Sequence, residues 1–203
     1  MLFIITTTAI FYLLGSVPAS LVLARLRGLT DPRLAGSGNA GATNMLRLHG
    51  RRAGLVVLLM DMGKAWLGLW LAGRLVPEQP PFSPYCLQWM WLTALVAGHI
   101  FPLFYRFKGG KGMAPFIGGV LLLQPVMALL VFLMVLPLLA WNRRGSVTSL
   151  SALLLYVPLG LTQVPVEHLQ CQWYGALATG SLILLAHHAN LTRLIRGEEQ
   201  PLA

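Results

Sequence analysis

Three short polar stretches in this 203-residue chain combine residue types that bind anions and move protons. The first reads Gly36-Ser37-Gly38-Asn39-Ala40-Gly41-Ala42-Thr43-Asn44 and is followed by Arg47. Glycines this dense let the backbone reach positive φ and approach a ligand, so N–H groups around Gly36 and Gly38 can cradle an anion while Ser37, Asn39, Thr43 and Asn44 add donors. A flexible glycine turn accounts for the composition equally well, because Gly-rich loops are weak signals. The second stretch reads Gly98-His99-Ile100-Phe101-Pro102, then Phe107-Lys108-Gly109-Gly110-Lys111-Gly112. Lys108 and Lys111 pair positive charge with backbone donors of Gly109 and Gly110, a composition suited to phosphate. The nucleotide-binding pattern GxxxxGK[ST] does not occur, and lysines here can instead fix membrane orientation and touch anionic head groups.

The third stretch runs His187-His188-Ala189-Asn190 through Arg193 and Gly197 to Glu198 and Glu199, placing His187, Asn190 and Arg193 at i, i+3 spacing on one helix face. Adjacent histidines point about 100° apart on a helix and the chain holds only six acidic residues, so no metal ligands are assigned. Asp61 and Lys64 stand three residues apart within an apolar run. Ionisable groups in such a place pair or line a polar cavity, and an ion pair that holds a helix bundle is the favoured role.

The elements that must position these groups are membrane helices. Hydrophobic residues make up 56% of the chain and charged residues 10%, and the mean hydropathy of +0.69 excludes a soluble domain of this size. Apolar runs near 3–24, 53–74, 87–105, 113–141, 147–166 and 173–186 each approach or exceed the roughly 20 residues that cross a bilayer as a helix. The alternating segments of a membrane β-barrel are missing, so the fold class is all-α and polytopic. With no internal repeat or linker, residues 1–203 form one domain. Nothing basic precedes the first run, so it is expected to be retained and to start outside.

Lysines and arginines number 15 against six acids. Thirteen of them flank or fill four places: Arg25 to Arg52, Arg106 to Lys111, Arg143-Arg144, and Arg193 to Arg196. The run 113–141 would be about 43 Å long as one helix, against a hydrocarbon core near 30 Å, and Gln124-Pro125 offers a break. Splitting it gives seven transmembrane helices, with the N-terminus outside, the C-terminus cytoplasmic, and those 13 basic residues on the cytoplasmic side. Loops near Gln79 and His168 then face outward. Cys86 and Cys171, the two cysteines, fall at that outer face, where a disulfide is permitted. Nothing in the sequence brings their loops together, so two unpaired thiols are the expectation.

Taken together, GSGNAGATN with Arg47, GHIFPLF-x-x-FKGGKG and HHANLTRLIRGEE resemble the three signature regions of the PlsY family of acyl-phosphate-dependent glycerol-3-phosphate acyltransferases. Similarity extends to Tyr12–Pro18, to Asp61 with Lys64, and to the segment from Arg144 to Ala152, and so spans nearly the whole chain. Departures are small: Ala65 for a usual glycine, Met113 for a common valine, Pro115 after the lysine loop, and His188 where arginine is frequent. The resemblance implies a seven-helix bundle in a bacterial inner membrane, its active site facing the cytoplasm, using no cofactor, metal or nucleotide. By position, Ser37, Ser149, His187 and Asn190 match its catalytic residues and Arg47 and Lys108 its substrate-binding ones; Gly36, Gly38, Asn39, Thr43, Asn44, His99, Gly109, Gly110 and Lys111 fall in the same motifs. It implies acyl phosphate and glycerol 3-phosphate as substrates, membrane lipid as surroundings, an enzyme that supplies acyl phosphate as a partner, and no nucleic acid.

An anion carrier also places a basic site inside a helical bundle, but such carriers are often built from repeats, and none is visible here. The HxxxxD signature of another acyltransferase class follows none of His49, His99, His168, His187 or His188. Under the favoured reading, acyl transfer is direct. The proton leaving the acceptor hydroxyl goes either to His187 or to the donor's own phosphate, the second being slightly favoured.

Overall fold

Pro18 has no amide hydrogen and disfavours helical geometry in the residue before it, so the first apolar run folds as two helices. In the computed structural model, which describes all residues except Pro81, Gln163 and Ala203, these are α1 (Leu2–Gly15) and α2 (Ala19–Arg27), bent by 45°. Carbonyls of Gly15 and Val17, freed at the break, accept from Lys64 Nζ at 3.2 and 3.0 Å. The N–H of Ala19 donates to Asp61 Oδ1 at 3.4 Å. A cation thus meets the carbonyl end of one helix and a carboxylate the N–H end of the next, which suits both dipoles. Asp61 and Lys64 also pair with each other at 2.9 Å, and the helix break is what their pairing holds.

The long helix α3 (Ala42–Gly73) is folded at Gly50, whose φ of 81° and ψ of 177° only glycine adopts easily. In a straight helix Leu46 and Gly54 would stand about 12 Å apart. Here a Cβ on Gly54 would lie 2.6 Å from Leu46 Cβ, so the first turns of α3 double back onto its body. That fold brings Arg47 towards Asp61, from which a straight helix would separate it by about 21 Å.

Helix α4 (Pro84–Ile100) forms the centre of the bundle, with Leu87, Trp89, Trp91, Leu92, Leu95 and Val96 all buried. Gly15 of α1 and Gly98 of α4 each rest on a carbonyl of the other helix, those of Leu95 and Tyr12. Small residues allow this backbone approach between membrane helices.

The expected break at Gln124-Pro125 is present: α5 (Met113–Leu123) ends before it and α6 (Pro125–Asn142) begins on Pro125. Gln124 is buried, and its Oε1 accepts from Tyr156 OH at 2.8 Å while its Nε2 donates to the Gly160 carbonyl at 2.9 Å. These contacts tie the break to α7 (Gly145–Leu161). A short 3₁₀ turn, Val166–His168, leads to α8 (Leu169–Ala186), and His187 joins α8 to α9 (His188–Ile195).

Cys86 and Cys171 are joined in a disulfide, their Cα atoms 5.1 Å apart, contrary to the expectation of unpaired thiols. The physical reason is tertiary. Helices α4 and α8 lie side by side, with Thr93 Oγ1 and Thr179 Oγ1 2.8 Å apart and Gly175 packed on the Trp89 ring, so their starting ends meet.

All the described secondary structure is helical. Among the described residues, Ala42–Gly73, Pro84–Tyr105 and Pro125–Asn142 are long and apolar enough to cross a membrane, and α1 with α2 adds a fourth span if the bent pair is one. Helices α5 and α7 are apolar but shorter, α5 being about 16 Å long. On α6, Val126, Leu129, Leu130, Phe132, Leu133 and Met134 are exposed, an apolar face that hydrocarbon, not water, accommodates.

Candidate active site

All three polar stretches gather at the end of the bundle opposite the disulfide. Asn44, fully buried, shapes the first. Its Oδ1 accepts from the Ser37 N–H at 2.9 Å, and its Nδ2 donates to the Pro32 and Ala35 carbonyls at 2.7 and 3.0 Å. Gly36 and Gly38 supply the left-handed turns on either side of Ser37. Asn44 and these two glycines therefore build the loop, and Ser37 is what the loop presents.

The second stretch closes on the end of α4. The N–H of Gly109 donates to the Ile100 carbonyl at 3.2 Å and that of Gly110 to the His99 carbonyl at 3.0 Å. These two amides, expected as phosphate donors, are thus spent on the scaffold, and Gly110 packs flat on the His99 ring. Arg106 and Phe107 both take left-handed backbone angles, and Lys108 stands exposed, turned away from the other polar stretches. It shares a separate cavity of about 450 Å³ with Arg33 and Arg106 and does not join the site. Lys111 does: its ammonium donates to Asn190 Oδ1.

The third stretch turns on Gly197, whose φ of 72° reverses the chain after α9 and returns Glu199 to the helix. Glu199 is buried and satisfied on both oxygens. Oε1 accepts from Ser146 Oγ at 2.7 Å and Asn190 Nδ2 at 2.6 Å, and Oε2 from Arg193 Nε at 2.7 Å. Burial alone would raise its pKa, but these donors together hold it below the usual glutamate value. Arg144 Nε donates to the Glu199 carbonyl at 2.8 Å and Arg47 Nη2 to the Gln200 carbonyl at 2.9 Å, strapping the tail across the site.

Ser37, Asn39, Thr43, Arg47, His99, Lys111, Ser149, His187 and Asn190 all line one cavity of about 150 Å³. Asp61, Ser146 and Glu199 line it too. A neighbouring chamber of about 180 Å³ lies among Gly36, Ser37, Arg47, Arg193 and the Glu198–Gln200 segment. Met113 and Ile117 line the main cavity and also an apolar groove between α5, α6 and α7, formed by Phe116, Val120, Val131, Val135 and Tyr156 among others. The hub role of Glu199 was missed in the sequence. Its available signal was a glutamate beyond a glycine that can reverse a helix end onto Arg193.

Two groups are tuned by burial. Lys111 is pushed down to about 8, by desolvation first and by Arg193 and Arg47, with Glu199 opposing. His187 is pushed down to about 4, by desolvation first and also by Lys111. Its Nδ1 lies 2.8 Å from the Ile183 carbonyl, which can only accept, so Nδ1 carries the proton and Nε2 is left as an acceptor.

The fold and site define a helical membrane protein with a polar cavity lined by Arg47 and Lys111 beside an apolar groove. Residues 5–197 match the family model described as glycerol-3-phosphate acyltransferase. A glycerol-3-phosphate acyltransferase of Bordetella pertussis is 37% identical over 198 residues, covering 93% of this chain and 86% of that protein. One from Pseudomonas syringae pv. tomato is 40% identical over 191 residues, covering 93% of each. The crystal structure of PlsY, an integral membrane glycerol 3-phosphate acyltransferase, in its glycerol 3-phosphate form matches with a TM-score of 0.86 at 32% identity, over 98% of this chain and 96% of that one. Its lysophosphatidic acid form gives 0.82 over 98% and 95%. The chain belongs to the glycerol-3-phosphate acyltransferase family and is an acyltransferase.

Proposed function

We propose that this enzyme transfers an acyl group from acyl phosphate to the 1-hydroxyl of sn-glycerol 3-phosphate, giving lysophosphatidic acid and phosphate, the first acylation of phospholipid synthesis. The observation that carries the reading is that a cavity holding Arg47 and Lys111 lies against an apolar groove, with Met113 and Ile117 lining both. Such a site seats phosphate at one end and an acyl chain at the other. The PlsY structures in glycerol 3-phosphate and lysophosphatidic acid forms support the acceptor and product.

An acyl phosphate is a mixed anhydride with a good leaving group, so the protein has mainly to hold two anions together and align hydroxyl with carbonyl. Arg47 and Lys111 offset the repulsion between them, with Ser37, Ser149 and Asn190 as positioning donors. The acceptor oxygen bonds to the carbonyl carbon, the bond from that carbon to the phosphate oxygen breaks, and the hydroxyl proton passes to a phosphate oxygen. A phosphate with a second pKa near 6 is a better proton acceptor than a histidine held at about 4, which favours the donor's phosphate over His187. His187 then accepts a hydrogen bond through Nε2 and orients substrate. Lys108, with Arg33 and Arg106, gives the outer cavity a positive field that gathers anions, acyl phosphate and its supplying enzyme included.

The reading places the site at the cytoplasmic face of a bacterial inner membrane, with seven crossings, the N-terminus outside and the C-terminus inside. The disulfide supports that sidedness: Cys86 is about 20 Å of helix from His99, and Cys171 about 24 Å from His187, so an oxidising compartment at the cysteine end puts the site in a reducing one. Incubating the purified protein with acyl phosphate and glycerol 3-phosphate tests the function: lysophosphatidic acid and phosphate in equal amounts are expected, and acyl-thioester donors alone supporting the reaction would refute it.

A further inference from the structure

Two carboxylates line the cavity, and they differ in one respect. Glu199 has protein donors on both oxygens. Asp61 does not. Its Oδ1 takes Lys64 Nζ at 2.9 Å and the Ala19 N–H at 3.4 Å, with His99 Nδ1 3.5 Å away. Its Oδ2 is reached by no protein donor among the described residues, although Asp61 is only 1% exposed. Buried carboxylate oxygens are almost always hydrogen-bonded, and Asp61 lines the cavity, so a group that enters the cavity is placed to supply the donor Oδ2 lacks.

The charges around the cavity say which part of a substrate that is. A phosphate is repelled by Asp61 and drawn to Arg47 and Lys111, so the end of the acceptor furthest from its phosphate, or the hydroxyl beside it, meets the carboxylate. Lys64 pairs with Asp61 at 2.9 Å and holds the carboxylate in place as a fixed hydrogen-bond acceptor, a role that suits a hydroxyl which keeps its proton. We infer that Asp61 Oδ2 accepts a hydrogen bond from the non-reacting 2-hydroxyl of the acceptor, and so selects a glycerol phosphate over its keto and deoxy counterparts. This rests on the function proposed above. A ketone turns lone pairs towards Oδ2 and is repelled; a methylene leaves Oδ2 buried without a donor.

The test compares kcat/KM for glycerol 3-phosphate, dihydroxyacetone phosphate and 3-hydroxypropyl phosphate in the natural enzyme and in Asp61→Asn. The natural enzyme should prefer glycerol 3-phosphate by roughly 100-fold over each analogue. In Asp61→Asn the amide keeps its oxygen towards Ala19 and presents NH₂ where Oδ2 stood, so the preference over the ketone should shrink to within about tenfold. A ratio within one variant is independent of how much of it folds. An unchanged ratio in Asp61→Asn overturns the inference. If that variant gives no folded protein, the natural enzyme decides: a preference near 100-fold supports the inference, and similar turnover of all three acceptors overturns it while leaving the acyltransferase reading intact. Failure of the natural enzyme to acylate any acceptor would count against that reading instead.

Discussion

Asn190 Nδ2 donates to Glu199 Oε1 at 2.6 Å, while Asn190 Oδ1 accepts from Lys111. One amide therefore relays between a buried carboxylate that holds α7, α9 and the tail together and a cation that faces the cavity.

Replacing Glu199 by Gln should loosen this end of the bundle. Ser146 and Asn190 would keep a neutral acceptor, but Arg193 would lose its partner, a loss of about 1.5–3 kcal/mol for a half-buried charge-assisted contact. Thermal unfolding in detergent should show Tm lower by roughly 5–10 °C, with activity falling in step. An unchanged Tm would show that the tail does not hold the site.

The two lysines of the second stretch should separate sharply. Lys111→Ala should lower kcat/KM at least about 100-fold, because a charge-assisted bond to phosphate is lost inside a shielded cavity. Lys108→Ala should stay within about tenfold and chiefly alter the salt dependence of kcat/KM, as loss of a steering charge does. Steady-state kinetics on both variants decide it, and the reverse ranking would return the phosphate role to Lys108.

Lys111 also sets a pH limit. Held down to about 8, it loses its proton as pH rises through that value, and an uncharged amine no longer attracts phosphate. The kcat/KM profile, which reports the free enzyme, should therefore fall above about pH 8, approaching tenfold per unit. Lys111→Arg keeps its charge throughout and should flatten that limb even if it is slower overall. A falling limb that persists unchanged in the arginine variant would assign it to another group.

Much of this site was legible in the sequence because residue types and spacing carry the chemistry. The i, i+3 spacing of His187, Asn190 and Arg193 does place the latter two on Glu199, and the proline after Gln124 does end α5. What was not legible depends on distant backbone. Lys108 and Lys111 are equivalent on paper; hydrogen bonds from Gly109 and Gly110 to the end of α4 decide which one faces inward. Asp61 and Lys64 read as a pair, but the broken helix they brace is 42 or more residues away. The cysteines, 85 residues apart, meet only because α4 and α8 pack along their lengths.

Sidedness can be read from that disulfide. In intact cells, an impermeant thiol reagent should label Cys86 and Cys171 only after reduction from outside, whereas a cysteine introduced at the exposed positions Lys108 or Glu198, near Gly110 and Gly197, should resist labelling until the membrane is opened. Labelling of the Lys108 and Glu198 variants from opposite sides would break the seven-crossing topology.

The central claim is direct transfer between two bound anions, and rapid mixing of the enzyme with labelled acyl phosphate tests it. With acyl phosphate alone, the account predicts no burst of inorganic phosphate and no label retained on the denatured protein; with glycerol 3-phosphate added, lysophosphatidic acid and phosphate should appear together. A stoichiometric phosphate burst in the absence of acceptor, with acyl label left on Ser37 or Ser149, would contradict it.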